Sequence, residues 1–303
     1  VAGTIGAVAN NGVGITGVSW NVKILPVKYL DPFGSTIDAI ESVNYLTDLR
    51  QRGINVVASN NSWGGGAYSQ ALFDAIEAGG NAGILFVAAA GNSSNNNDQN
   101  PTYPASYQSD AIISVAATDR FNNLADFSNF GATSVDIGAP GVEILSTVPG
   151  NQYESWPGTS MAAPHVAGVA ALLAAANPEA TMDEIRDAIL DGAVPIPSLT
   201  NNVATGALLN ASGALAAFRG VSRTAGVVIR GEEIVVDSVW DDTDIVHVLQ
   251  DEIIVNNLHT ATSLKLLSQT DASLVVKLAG ANAGFTASGE LLDIDDRVGG
   301  TVQ

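Results

Sequence analysis

The 303-residue chain contains no cysteine, which excludes a disulfide framework, a thiol nucleophile and a Cys-type zinc site. Basic residues are scarce: 12 Lys and Arg stand against 31 Asp and Glu, a formal net charge of −19. Nucleic acids and anionic membrane surfaces are bound by clustered Lys and Arg, so neither is expected as a partner. Long apolar runs are missing too, because Gly, Asn, Asp or Pro interrupts each one short of the ~20 residues that a membrane span needs. The opening Val-Ala-Gly-Thr has no basic n-region, no apolar h-region and no initiator Met. It is not a signal peptide, and a start inside a longer polypeptide is expected.

What is present suits a globular protein. Hydrophobic residues make up 46% and charged residues 14%, which argues against disorder, and the length accommodates one large domain and a smaller one. Up to about residue 220, short β-rich runs alternate with helical patterns, the mark of an α/β domain with a mainly parallel sheet. Lys23–Lys28, Ile54–Ser59, Ile84–Ala89 and Ile112–Ala117 are strand candidates. Ile37, Ile40, Val43 and Leu46 recur at helical spacing within Thr36–Arg50, as do Leu72, Phe73 and Ile76 within Ser69–Ala78. Gly53 and Gly79-Gly80 stand where helices are expected to stop. Thr181-Met-Asp-Glu184 is a capping-box pattern opening a helix through Leu190.

Past Arg219-Gly220 the runs become short and β-branched, separated by Asp, Asn, Gly or Thr: Val227–Ile229, Glu233–Asp237, Ile245–Gln250, Ile253–Asn256, Ser263–Leu267, Ser273–Leu278 and Gly289–Ile294. A small all-β appendage is expected over 221–303, with no nameable repeat and a last strand pattern running off the end at Val302-Gln303. Its acidic stretch Leu291–Arg297 offers no defensible ligand set. A role in surface attachment or substrate binding is one reading of this part.

The strongest chemical signal is Gly158-Thr-Ser-Met-Ala-Ala-Pro-His-Val-Ala-Gly168. A Gly-Thr turn delivers Ser160 to the start of a helix reaching about Ala176, with Pro164 read as lying in the tolerant first turn. There the free backbone N–H groups and the helix dipole favour a negatively charged oxygen. Alone, such a Ser is an ordinary N-cap. The whole string, however, closely resembles the nucleophile motif of the subtilases, the subtilisin-like serine peptidases, and the resemblance runs over about residues 1–218.

That resemblance implies a three-layer α/β/α domain over 1–220 and an extracellular endopeptidase acting on protein or peptide substrates, made with a propeptide. Ser160 would be the nucleophile that forms an acyl-enzyme. Asn92, closing Ala88-Ala-Ala-Gly-Asn92, would donate its side-chain amide to the oxyanion together with the Ser160 N–H. Ser62-Trp63-Gly64-Gly65 would pair with extended substrate by main-chain hydrogen bonds. Ala88, Ala89, Ala90 and Gly91 would wall the opposite side of the pocket, small enough for a medium or large apolar side chain. Val8-Ala-Asn-Asn-Gly-Val-Gly-Ile15 resembles the thermitase-type calcium loop of the family, which would bind a structural Ca²⁺ through the Asn11 side chain and the Val8, Val13 and Ile15 carbonyls, with its carboxylate ligands expected upstream of residue 1; an ordinary Asn-Gly turn is the other reading. Tyr103–Tyr107 resembles a second cation-site loop and is left unassigned.

His165 lies five residues after Ser160, roughly 140° around the helix axis, and is read as structural; His247 and His259 are read as packing or surface residues. Phe127–Gly131 and Asp136–Gly141 match family segments and are read as turns and strand ends. Val1–Ala7 resembles what directly follows the family's catalytic-His motif, so the triad Asp and His are expected upstream of residue 1, and these 303 residues by themselves are expected to be inactive. A non-catalytic binding or scaffolding member is the alternative; the joint presence of Ser160 and Asn92 speaks for catalysis.

Overall fold

Strands β1 (Ala58–Asn61), β2 (Leu85–Ala89), β3 (Ile112–Thr118) and β4 (Ile137–Pro140) pair in parallel in that order, with registers such as Ala58↔Leu85, Phe86↔Ile112 and Val115↔Ile137. β2 and β3 are buried along their whole length, as expected of strands covered on both faces. The computed structural model describes residues 1–29 and 34–219 with their side chains, and beyond 219 the backbone of a helix end and of short strands. The sheet closes with β7 (Val194–Pro195) and β8 (Ala207–Leu208), in the order β1-β2-β3-β4-β8-β7. A separate antiparallel hairpin joins β5 (Ile144–Val148) to β6 (Gln152–Trp156).

Alternation along the strands sorts the core into two layers. Leu85, Val87 and Ala89 share one cluster with residues of α4 (Thr159–Ala176), α5 (Met182–Asp191) and α6 (Ala211–Ala225). Phe86 and Ala88 face the opposite way, against α2 (Thr36–Gln51) and α3 (Gln70–Asn81). The result is a three-layer α/β/α domain. α4 contacts β1 to β4 and the short α1 (Ala2–Gly6). It is the one described helix long and apolar enough to cross a membrane, contrary to the expectation that no run comes close. Its apolarity serves the core: Ala162, Ala163, Val166, Ala170 and Leu173 are all buried.

Several local expectations are corrected. Lys23–Lys28 forms no strand, and Ile24 and Leu25 are exposed; an apolar run becomes a strand only where a partner lies alongside. The run Ile54–Ser59 pairs late, from Ala58 to Asn61, because its front part is turned by the Ile54 N–H bond to Leu49 O and the Val56 N–H bond to Ile54 O. Gly79 and Gly80 do not stop α3 but lie inside it, where a Cβ on Gly80 would sit 2.4 Å from the Ala111 Cβ. The reversal falls at Gly83, whose φ of 89° suits glycine. The capping box at Thr181 forms as expected, with Thr181 and Glu184 bonding reciprocally.

The chain divides into two compact units, Val1–Phe218 and Arg219–Gln303. In the second, every described pairing is parallel and links strands three apart in sequence order. β9 (Val227–Ile229), β12 (His247–Leu249) and β15 (Val276–Leu278) form one sheet. β10 (Glu233–Ile234), β13 (Glu252–Asn256) and β16 (Gly284–Ser288) form another, and β11 (Ser238–Trp240) pairs with β14 (Leu264–Leu266). Stacked coils of three strands give this pattern. The repeat escapes the sequence because its steps are unequal: His247 pairs with Val227 behind it and Val276 ahead. β11 and β16 were not anticipated, and the strand candidate Gly289–Ile294, Leu291–Arg297, His259 and Val302-Gln303 lie outside the described residues.

Candidate active site

The carboxyl ends of adjacent parallel strands are where an open α/β sheet presents its ligand site. Ser62 directly follows β1, and Gly91-Asn92 follow β2 by one residue. α4 begins against both. Its N-cap, Gly158, has a φ of 146°, a conformation that a side chain would strain. From it the chain enters the helix so that Thr159 and Ser160 are the first two helical residues, whose N–H groups have no intrahelical carbonyl to bond.

Four side-chain bonds knit these segments together. Thr159 donates its backbone N–H to Asn92 Oδ1 at 2.8 Å and its hydroxyl to the same oxygen at 2.9 Å. Both limbs of that contact are donors, so they fix Oδ1 inward and leave the Nδ2 amide as the outward, donating end of Asn92. Ser160 Oγ donates to Ser62 O at 3.3 Å, and Ser62 Oγ donates to Ser160 O at 2.8 Å. The second bond answers a defect in α4. Pro164 sits one full turn inside the helix, not in its first turn as the sequence suggested, and has no N–H for the carbonyl four residues back, which is Ser160 O. The Ser62 hydroxyl takes that place.

Thus Ser160, Asn92 and Ser62, distant in sequence, converge. Gly65 and Gly66 have φ of 111° and 103° with open space at both Cβ positions, so a backbone can approach them closely. The Gly65 N–H is already bonded to Tyr103 O at 2.9 Å, so the segment has only its other edge to offer. Trp63 turns its side chain away, edge-on to Tyr29 and Phe86 with ring centroids 5.4 and 6.3 Å apart, and donates Nε1–H to Asn61 Oδ1. It belongs to the α2/α3 layer, and its bulk lies on that side of the segment. Of the segment expected as a wall, Ala88 and Ala90 are 0% exposed and Ala89 is 4% exposed, Ala88 and Ala89 being the last residues of buried β2. Gly91 and Asn92, which follow, are the residues of this segment that present surface.

His165 faces elsewhere. Its Nδ1–H donates to Met161 O at 2.9 Å within α4, and burial pushes its imidazole below the ordinary histidine pKa. Asp136 anchors strands: its Oδ2 accepts the Ser114 N–H at 2.6 Å and its carbonyl accepts the Thr205 N–H and hydroxyl. Burial raises its pKa above the usual carboxylate value, the Ser114 bond working against that shift. No described imidazole faces Ser160, and no described group of three or more His, Asp or Glu is arranged to hold a metal.

The proposed calcium loop does not by itself make a site. Asn11 Oδ1 accepts the Val13 N–H at 3.0 Å, closing an Asx turn, and Val8 and Val13 are exposed. One amide oxygen and three carbonyls, without a carboxylate, fall short of the six to eight oxygens that Ca²⁺ gathers.

Comparison with known proteins gives one family throughout. The subtilase family model matches residues 1–220. Subtilisin DY of Bacillus licheniformis is 43% identical over 190 residues, covering 62% of this chain and 66% of that protein. A thermophilic serine proteinase of Bacillus sp. strain AK1 is 44% identical over 177 residues, 57% of this chain and 41% of its own length. Subtilisin BL of Lederbergia lenta is 41% identical over 215 residues, 71% and 75% of the two chains. Among solved structures, the proteases from Pseudoalteromonas arctica PAMC 21717 align with a TM-score of 0.64 and 32% identity over 72% of this chain and 69% of that one. The matched part therefore spans less than two thirds of the first two relatives' own lengths.

Proposed function

The chain belongs to the subtilase family, and from that premise we propose that it is the nucleophile-bearing part of a serine endopeptidase. Ser160 Oγ attacks the scissile carbonyl, and its proton passes to a general base. The tetrahedral oxyanion accepts hydrogen bonds from Asn92 Nδ2 and from the Ser160 N–H at the start of α4. Collapse expels the amine, protonated by the same base, and leaves an acyl-enzyme that water hydrolyses. An extended substrate pairs with the free edge of Ser62–Gly65. Among the described residues no imidazole faces Ser160, and this reading takes the base and its carboxylate partner from elsewhere in the full-length protein. With that reading go an extracellular site of action and a propeptide in the precursor.

The observation that carries the proposal is the pair of Thr159 bonds to Asn92 Oδ1. A turn asparagine needs no such constraint, whereas an oxyanion donor needs its amide aimed before the charge develops. Peptide-anilide hydrolysis by the full-length protein tests it. Ser160→Ala is expected to abolish turnover. Asn92→Ala is expected to lower kcat by roughly 10²–10³ with little change in KM, a magnitude taken from a subtilisin, a relative of this chain. Turnover that survives Ser160→Ala overturns the reading.

A further inference from the structure

Asn92 is exposed, and its place depends on the backbone of the loop around it. Thr159 holds the side chain from one side. The loop itself is held by one buried side chain from a different part of the chain, Asn129, which is 2% exposed. The Asn129 N–H donates to Gly91 O at 2.9 Å. Its Oδ1 accepts from the Ser93 N–H at 2.8 Å and the Asn95 N–H at 3.1 Å. Its Nδ2 donates to Ala90 O at 3.1 Å and Asn97 Oδ1 at 3.0 Å, with Thr102 Oγ1 at 3.3 Å. One residue thus bonds the chain on both sides of Asn92, at 90 and 91 before it and at 93 and 95 after it.

The match is close enough to dictate its neighbour. Gly91 has a φ of 116°, and a Cβ there would lie 2.3 Å from Asn129 Nδ2, so the approach itself demands glycine. Asn129 is in turn fixed to the sheet. Ser128 Oγ accepts the Ala117 N–H of β3 at 2.9 Å, while the Ser94 N–H reaches Phe127 O and the Asn97 N–H reaches Phe130 O. The segment 127–130 is a template, anchored on β3, along which the loop carrying Asn92 is laid.

We propose that Asn129 is a positioning residue for the oxyanion donor: through Gly91 and Ser93 it sets where Asn92 Nδ2 stands relative to Ser160. The proposal rests on the catalytic reading of Asn92 above. A buried side chain that merely filled space would need no directed bonds to both flanks of one exposed residue. Misplacement of a reacting group by about 1 Å costs on the order of 10²-fold in rate, so the loss belongs in kcat.

The test is a double-mutant cycle in the full-length protein, reading kcat and KM separately. Asn129→Ala is expected to lower kcat by about 10- to 100-fold with KM within about twofold. In an Asn92→Ala background the same change should lower kcat by less than about twofold, since nothing remains to be aimed. Asn129→Asp keeps the acceptors for Ser93 and Asn95, is expected to retain more kcat than Asn129→Ala, and carries the cycle if the alanine variant does not fold. Equal losses in both backgrounds, or an unchanged kcat in the single variant of an active wild type, overturn the proposal. Absence of Ser160-dependent turnover in the wild type brings down the peptidase reading, and this one with it.

Discussion

Ser160 surrenders a helical hydrogen bond to Pro164 and recovers one from Ser62. A proline inside a helix removes an N–H and crowds the carbonyl four residues back, at a cost of about 3 kcal/mol. Here that displaced carbonyl belongs to Ser160, the proposed nucleophile, so the repair also ties α4 to the end of β1. Removing the hydroxyl by Ser62→Ala leaves Ser160 O and, at the other end, Asn60 Nδ2 without this partner. A loss of about 1–3 kcal/mol in stability is expected, read as a lower urea midpoint at unchanged slope, while Ser62→Thr, which keeps a hydroxyl, should lose less. An unchanged midpoint in Ser62→Ala would show that the Ser160 carbonyl is satisfied otherwise. The residues of the candidate site were legible in the sequence, since Ser160 and Asn92 lie in strings that resemble the family's motifs, and the structure brings their segments together. The partners were not. Ser62 Oγ, the Thr159 contacts and Asn129 act across the fold on groups far away in sequence, and no local spacing announces such contacts.

The elements follow from burial more than from propensity. β2 and β3 were readable as unbroken apolar runs because both faces are covered, and the alternation of Leu85, Val87 and Ala89 with Phe86 and Ala88 became meaningful only once helices stood on each side. The same logic misled at Lys23–Lys28, apolar enough for a strand yet without described strand pairing. Glycines misled in the other direction. Gly79 and Gly80 resemble a helix stop, but their missing side chains serve close packing, and the turn belongs to Gly83. Gly168 in α4 is a case of the same kind, since a Cβ there would lie 2.6 Å from the Val18 Cβ. α4 and the segment after α1 must separate to admit it, so Gly168→Ala is expected to cost about 1–3 kcal/mol despite alanine's better helix propensity. Thermal unfolding checks this. A variant more stable than the wild type would mean that propensity outweighs packing at this site.

Across the whole molecule, two units of different construction share one chain: a layered α/β domain, Val1–Phe218, and a stack of short parallel strands within Arg219–Gln303. The first was recognisable because motif, strand burial and helix pattern agree. The second was legible only as β-rich, since stacked coils with unequal steps leave little periodicity in sequence. The net charge of −19 belongs to both together and suits a peptide-directed enzyme better than one acting on polyanions. The proposed chemistry centres on one oxygen, Ser160 Oγ, at the carboxyl edge of the sheet. Its most direct measurement is covalent labelling of the full-length protein with a fluorophosphonate, followed by peptide mass mapping. A single adduct on Ser160 is expected, lost in Ser160→Ala and after unfolding, with much slower labelling of residues 1–303 alone, where no described imidazole faces the hydroxyl. Failure of the folded full-length protein to label, or an adduct on a different serine, would contradict that chemistry.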